Sequence, residues 1–216
     1  MRVLIATAVE VEADAVRTGL GERRDLQVAA VGVGPAGAAA TTARLLTLAE
    51  AGGSAYQAVI SMGIAGGFAD VVEPGGIVVA TRSIAADLGA QSPEGYLTID
   101  ELGFGTAMTE VDPALHALLR GRLRDAVSGD VLTVSTVTGL AERAGELRAR
   151  WPHAAAEAME GAGVAAAAAA CGVAYAEVRT ISNAIGPRDR AAWRIGPALQ
   201  ALTSAAATIG DSLEAL

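Results

Sequence analysis

Apolar runs rich in Val, Ile, Leu and Ala recur along the chain, and most are followed by a stretch of helical period. Residues 2–6 read as a buried strand and residues 10–18 as the helix after it. A second strand, 26–31, runs into Gly32-Val33-Gly34-Pro35-Ala36-Gly37, and a helix follows over about 38–49. Residues 58–62 make a third strand, closed by Gly63-Ile64-Ala65-Gly66-Gly67, and 76–82 a fourth, opened by the turn pair Pro74-Gly75. Residues 87–108 hold a Ser-Pro-Glu-Gly turn but no clear period, so they read as loop. Asp112 as cap and Pro113 at the first helical position start a helix to about residue 127. A strand over 130–137 ends in Thr138-Gly139, and a short charged helix over 140–150 follows.

The stretch 157–189 organises the rest. Met159-Glu160-Gly161 sets a carboxylate at the mouth of a nearly pure Ala helix. A strand over 173–181 then ends in Ser182-Asn183 and a polar loop, Gly186-Pro187-Arg188-Asp189. Ligands of open α/β sheets sit beyond the carboxyl ends of strands, so Glu160 and Asn183 could converge on one small molecule. Residues 191–216 close the chain as a mostly helical tail. This alternation predicts one α/β domain over 1–216, a three-layer α/β/α sandwich around a mixed, largely parallel sheet.

Composition narrows the function classes. A chain of 216 residues that is 52% hydrophobic can bury a sizeable core, and with only 3% aromatics small side chains must fill it. A net charge of −8 without any cluster of Lys and Arg argues against nucleic acid as a partner. The lone Cys171 lies in an apolar helix, which fits a reducing compartment rather than a disulfide framework. Acids follow the first strand too soon for a signal peptide, and the Ala-rich run 164–170 is far too short for a membrane span. The expectation is a soluble, cytoplasmic protein with no membrane partner, cofactor or metal.

Candidate chemistry is sparse. Gly32-x-Gly34-x-x-Gly37 has dinucleotide-fingerprint spacing, but it follows the second strand and Pro35 removes an amide that would cradle pyrophosphate. A close-packing turn is the blander account. The cluster at 63–67 could expose amides as a nest for an anion or water. Phosphate would call for a guanidinium beside it, and 59–62 hold none, which favours water as the nucleophile. Glu10 and Glu12 both follow the first strand closely. Either could be a general base, and because they project differently at most one should face the site. His116 and His153 read as solvated surface residues, and Cys171 has no charged neighbour to activate it.

Taken in order, Thr7-Ala8-Val9-Glu10-Val11-Glu12, Gly32-Val33-Gly34, Gly63-Ile64-Ala65-Gly66-Gly67, Met159-Glu160-Gly161 and Ile181-Ser182-Asn183 resemble the nucleoside phosphorylase and nucleosidase superfamily. The likeness runs over almost the whole chain. Residues 136–143 and 87–93, with Trp193, look most like its futalosine hydrolase branch, which removes hypoxanthine from futalosine in menaquinone biosynthesis. The resemblance implies that Glu12 activates water and that Met159 and Glu160 grip ribose. It implies that Asn183 contacts the purine, and that Gly63, Ala65, Gly66, Val137, Thr138, Gly139 and Ser182 line the nucleoside site. Glu10 is the reserve base, and Asp87 a further possible contact. Arg82, Arg188 or Arg190 could receive a 5′ carboxylate, and Asp189 could protonate the base. A homodimer or higher homo-oligomer is implied in the same way.

Position 183 departs from the methylthioadenosine nucleosidases, which resemble this chain but carry Asp there. Adenine offers an exocyclic amine, a donor that a carboxylate accepts; hypoxanthine offers an oxygen, which needs a donor such as an amide. A mismatch leaves a buried polar group unpaired at about 1–3 kcal/mol. Asn183 therefore points to a 6-oxopurine nucleoside. The alternatives are a methylthioadenosine or S-adenosylhomocysteine nucleosidase, a purine nucleoside phosphorylase, and a non-catalytic nucleotide-binding module on the 32–37 turn.

Overall fold

The computed structural model describes residues 1–214. In chain order the elements are β1 (Val3–Thr7), α1 (Glu10–Leu20), β2 (Leu26–Ala30), α2 (Pro35–Ala51), β3 (Ala58–Gly67), β4 (Ile77–Ala85), β5 (Gly89–Ser92), β6 (Gly95–Thr98), β7 (Met108–Glu110), α3 (Pro113–Arg122), β8 (Val127–Thr133), α4 (Ala141–Arg150), β9 (Ala154–Ala158), α5 (Gly161–Cys171), β10 (Ala174–Ala184) and α6 (Ile195–Glu214). A short 3-10 turn, Arg190–Ala192, precedes α6. No helix among the described residues is long and apolar enough to cross a membrane.

β3 is the pivot of the sheet. Its first half lies parallel to β1, Ala58 opposite Val3 and Ser61 opposite Ala6. Beyond Ser61 that edge is taken over by β9, antiparallel, with Gly66 opposite Glu157. Its other edge runs parallel to β10 throughout. β10 pairs with β4, β4 with β8 and β8 with β9, so five strands close a ring and β1 and β2 extend from it as open sheet. Parallel pairings predominate, as the alternation of strands and helices predicts; the ring closure was not legible in it.

Two helix pairs cover the sheet. α1 packs on α6, and α2 on α5. In β10 the hydroxyl of Thr180 donates to Ala198 of α6, while the Tyr175 hydroxyl lies within reach of the Gly161 carbonyl of α5. Residues 175 and 180 differ by an odd number and so face opposite sides of a strand, which puts the helix pairs on opposite faces. Leu202, Ile209 and Leu213 of α6 are fully buried. Burial of such a side chain contributes about 1.5–3 kcal/mol. α4 covers a second, smaller core, where Leu147 and Trp151 meet Phe68, Ile84 and Leu132.

Several elements differ from the pattern's prediction. The glycines at 63–67 do not end a strand: they are its second half, kept extended by ladders to β10 and β9, so they form no free amide nest. The stretch 87–108 contains the β5–β6 hairpin, whose short, Gly-containing strands give little alternation. The helix from Pro113 stops at Arg122, where the Arg120 guanidinium bonds the carbonyls of Leu123 and Ala126 and turns the chain. The next strand accordingly runs over Val127–Thr133, leaving 135–137 exposed as loop. β9, AAAEA, was not foreseen, because Ala is a poor strand former and only its two neighbours make it one. β10 continues past residue 181 through a bulge to Ala184. The tail is helical as expected to Glu214; residues 215–216 lie outside the described residues.

Low aromatic content has a structural counterpart where α2 meets α5. A Cβ on Gly163 would stand 2.1 Å from the Pro35 carbonyl oxygen, a backbone atom that cannot swing away. Gly163→Ala should therefore destabilise by about 1–3 kcal/mol through overpacking. Gly145→Ala, on the exposed face of α4 with open space around it, should instead stabilise by about 0.5–1 kcal/mol. Thermal unfolding followed by circular dichroism checks both; equal melting temperatures would contradict the close helix contact.

Candidate active site

Glu12 is the third residue of α1, and its side chain turns back over the start of the helix. One carboxylate oxygen accepts from the amides of Ala8 (2.9 Å) and Val9 (3.3 Å), the other from Ile64 of β3 (2.8 Å). The residue is 3% exposed. Burial pushes its carboxyl above the ordinary range, against the Ile64 amide, the Arg179 charge and the Ala8 amide, which favour the anion. Glu10, the reserve candidate, points to solvent and pairs with Arg17, so it is no part of this site.

Around Glu12 stands a cluster that the sequence pattern did not reveal. Arg179 of β10 is fully buried. Its Nε donates to Glu177 at 2.8 Å and Nη2 to Ser61 at 2.8 Å, while Nη1 lies 3.8 Å from Glu160. A Cβ on Gly63 would be 2.7 Å from Glu12 Oε1 and 2.8 Å from Arg179 Nη1, so both groups close on the space that the missing side chain leaves. Burial alone would lower Arg179; Glu177, Glu160 and Glu12 outweigh it and hold the guanidinium above its usual range. Glu160, at the start of α5, accepts from the Gly34 amide at 3.2 Å. The 32–37 turn thus docks on an acid.

The expectation that no guanidinium stands beside Gly63 is therefore overturned. It comes from the neighbouring strand, not from 59–62. The signal was present: Glu177 and Arg179 stand two apart in an apolar strand and must share a face.

Three residues along β3, about 10 Å of extended chain, a small cavity of about 70 Å³ opens. Gly66, Val137, Thr138, Glu157, Asn183 and the loop from Ala184 to Arg188 line it, with Trp193. Ser182 Oγ lies 2.8 Å from Asn183 Oδ1 and 3.2 Å from the Ala65 carbonyl oxygen, and Asn183 Nδ2 donates to Ala184 at 2.9 Å. Glu157 is 6% exposed; it accepts from the Thr138 amide at 2.8 Å and the Thr138 hydroxyl at 2.5 Å. Burial raises its carboxyl, and the two Thr138 donors oppose that. Nothing in the local sequence marks Glu157 as a site residue: it is a lone acid among alanines.

The remaining candidates separate. Gly63 and Met159-Glu160 belong to the acid cluster, while Gly66, Val137, Thr138 and Asn183 line the cavity. Gly139 accepts from the Arg188 amide at 3.2 Å. Arg188 lies over the Trp193 ring at 5.2 Å. Asp189 is exposed and caps Ala191 at 3.0 Å, and it is not among the cavity's lining residues, so it is not placed to protonate a base there. Arg82 is committed to Asp130 at 2.5 Å and lines a separate cleft, which removes it from this site. Asp87 accepts from the Ser135 amide at 2.6 Å and borders a cleft that shares Val137 and Thr138 with the cavity. His153 is exposed, but His116 is half-buried and burial lowers it, so only one of the two is a freely solvated surface residue.

The same three strands thus serve two clusters. β3, the β9 end and β10 supply Gly63, Glu160 and Arg179 to one, and Gly66, Glu157 and Asn183 to the other. The first can ready a water and hold hydroxyls; the second can hold a flat polar ring. A family model described as the phosphorylase superfamily matches residues 7–216. The chain belongs to the phosphorylase superfamily.

Within the superfamily, the chain is 50% identical over 229 residues to a futalosine hydrolase of Streptomyces coelicolor, covering 99% of this chain and 97% of that one. In fold it is similar to 5′-methylthioadenosine/S-adenosylhomocysteine nucleosidase from Neisseria meningitidis, with a TM-score of 0.82 at 19% identity over 100% and 99% of the two chains. It is equally similar to futalosine hydrolase of Helicobacter pylori, with a TM-score of 0.82 at 18% identity over 98% of each. At such identities the likeness shows the fold alone.

Arg179→Met should cost about 3–5 kcal/mol of stability, because it leaves Glu177 buried without its counter-charge. Adding Glu177→Gln should recover part of the loss. Denaturant unfolding of both variants measures this; a loss below about 1 kcal/mol in the single variant would mean the cluster is not held by that charge.

Proposed function

We propose that this chain hydrolyses the N-ribosidic bond of futalosine and releases hypoxanthine, a step of menaquinone biosynthesis. The observation that carries the reading is the identity of half its residues, over 99% of the chain, with a futalosine hydrolase. The site geometry supports it residue by residue. Glu12, buried and above the ordinary carboxyl range, is suited to take a proton from water. Glu160 faces the same space and can bond ribose hydroxyls as positive charge grows on the sugar. Asn183 can donate to the oxygen of the departing base, where negative charge develops.

Arg179 fits water better than phosphate as the nucleophile. Its three nearest acids, Glu12, Glu160 and Glu177, outnumber its single charge, so an anion would enter a negative field. The reading also carries a cytoplasmic enzyme that works as a homodimer or higher homo-oligomer.

Incubation with futalosine, inosine and methylthioadenosine, with and without phosphate, should release hypoxanthine from futalosine independently of phosphate. Adenine release from methylthioadenosine as the main activity would overturn the reading. Glu12→Gln should lower kcat by about 10²–10⁴-fold, the usual worth of a general base.

The pH dependence has a defined sign. The base must be ionised, and burial raises Glu12, so kcat/KM should climb with pH through a limb above the ordinary glutamate value of about 4.3. Stability runs the other way. The folded state holds this proton more tightly than the unfolded one, so the Glu12 contribution falls as pH rises from the unfolded to the folded value. An acid limb at or below pH 4 would exclude Glu12 as the base.

Asn183→Asp should shift the ratio of hypoxanthine to adenine release toward adenine, by about 5–150-fold for a mismatch of about 1–3 kcal/mol. Base release from inosine and adenosine, measured side by side, gives the ratio.

A further inference from the structure

Glu157 has no part in the chemistry above, yet it is a buried acid on the wall of the small cavity that Asn183 also lines. Its placement follows from strand register. Asn183 and Glu157 both pair with Gly66, from opposite edges of β3. Residues in one row of a sheet project from the same face. The amide and the carboxylate therefore flank a strip of backbone that carries no side chain, and both reach the cavity.

Each Glu157 oxygen has one donor, the Thr138 amide at 2.8 Å or the Thr138 hydroxyl at 2.5 Å. An ionised carboxylate accepts at about four sites, so acceptor capacity remains for the cavity. Burial raises the Glu157 carboxyl and the two Thr138 donors oppose that rise, so the carboxylate is the form present above its raised value.

We propose that Glu157 is a second base-reading residue, accepting the ring N1–H of a 6-oxopurine while Asn183 donates to the adjacent carbonyl oxygen. The inference rests on the futalosine reading of this site and adds the ring edge that is recognised. A 6-oxopurine presents C6=O and N1–H side by side; adenine presents an amine and a bare N1, the reverse order. An amide can answer either order by exchanging its O and N, as can the hydroxyl of Ser182 that faces it. An ionised carboxylate offers acceptors only. Glu157 is the half of the pair that cannot be inverted, and with it the site is committed to one order.

Calorimetric titration of the wild-type chain and of Glu157→Gln, with hypoxanthine and with 1-methylhypoxanthine, tests this. The methyl compound keeps the carbonyl and lacks N1–H. Wild type should bind hypoxanthine at least about tenfold more tightly than the methyl compound, as expected for a hydrogen bond to a charged group. In Glu157→Gln the Thr138 amide claims the Gln oxygen and turns its NH2 to the ring, so hypoxanthine should weaken about 10–100-fold and the methyl compound hardly at all.

Equal affinities in wild type, a measurement independent of any variant's folding, would overturn the proposal. So would unchanged hypoxanthine affinity in Glu157→Gln. Parallel weakening of both ligands would also overturn it, since it would make Glu157 only an anchor for Thr138. A wild type that releases no hypoxanthine from futalosine would instead refute the broader reading. A wild type that does so, with a variant that still tells the ligands apart, would refute this inference alone.

Discussion

One buried guanidinium holds the centre of this molecule. Arg179 reaches Glu177 on its own strand, Ser61 on β3 and the space between Glu12 and Glu160. Taking such a charge out of water is unfavourable by several kcal/mol, and only close counter-charges and hydrogen bonds offset it. Those partners come from the start of α1, the start of α5, β3 and β10. The charge therefore does more than neutralise acids. It ties two strands to the starts of two helices, and with them sets the position of the Glu12 and Glu160 carboxylates.

Such a cluster can exist because β3 changes partner midway. While β1 lies beside it, β3 is an ordinary central strand; when β9 replaces β1, the chain that leads into Glu160 is brought against the same edge. The ring closure follows from that exchange. It lines up Gly63 with Arg179 and Gly66 with Asn183 and Glu157. The acid cluster and the cavity are thus built on two rows of one small sheet, and the loops at 137–138 and 185–188 complete the wall of the second.

Much of this was legible in the sequence, and the parts that were not have physical reasons. Strands with bulky apolar runs, such as β1, and helices with caps, such as α3, announce themselves locally. β9 does not, since five residues of Ala and Glu become a strand only when flanked by β8 and β3. Asn183 stands out locally because it closes an apolar strand with an amide, and the structure sets it on the cavity wall. Glu10 and Glu12 could not be told apart, because the difference lies in the Ala8 and Ile64 amides that close over one of them. Arg179 is not legible locally, because a charge inside an apolar strand makes sense only once the counter-charges around it are known.

Fold likeness does not choose the reaction here. The chain matches a methylthioadenosine nucleosidase and a futalosine hydrolase with the same TM-score of 0.82. Such scores are set by backbone packing, to which a few cavity-facing polar atoms contribute almost nothing. Base choice, by contrast, is a difference of one or two hydrogen bonds, each worth about 1–3 kcal/mol when a mismatch leaves a buried group unpaired. Two chains can share every strand and differ in that respect alone. In this chain two polar side chains able to read such a difference, at positions 157 and 183, stand on either side of Gly66. A shape comparison sees one site there; donor and acceptor order makes it two.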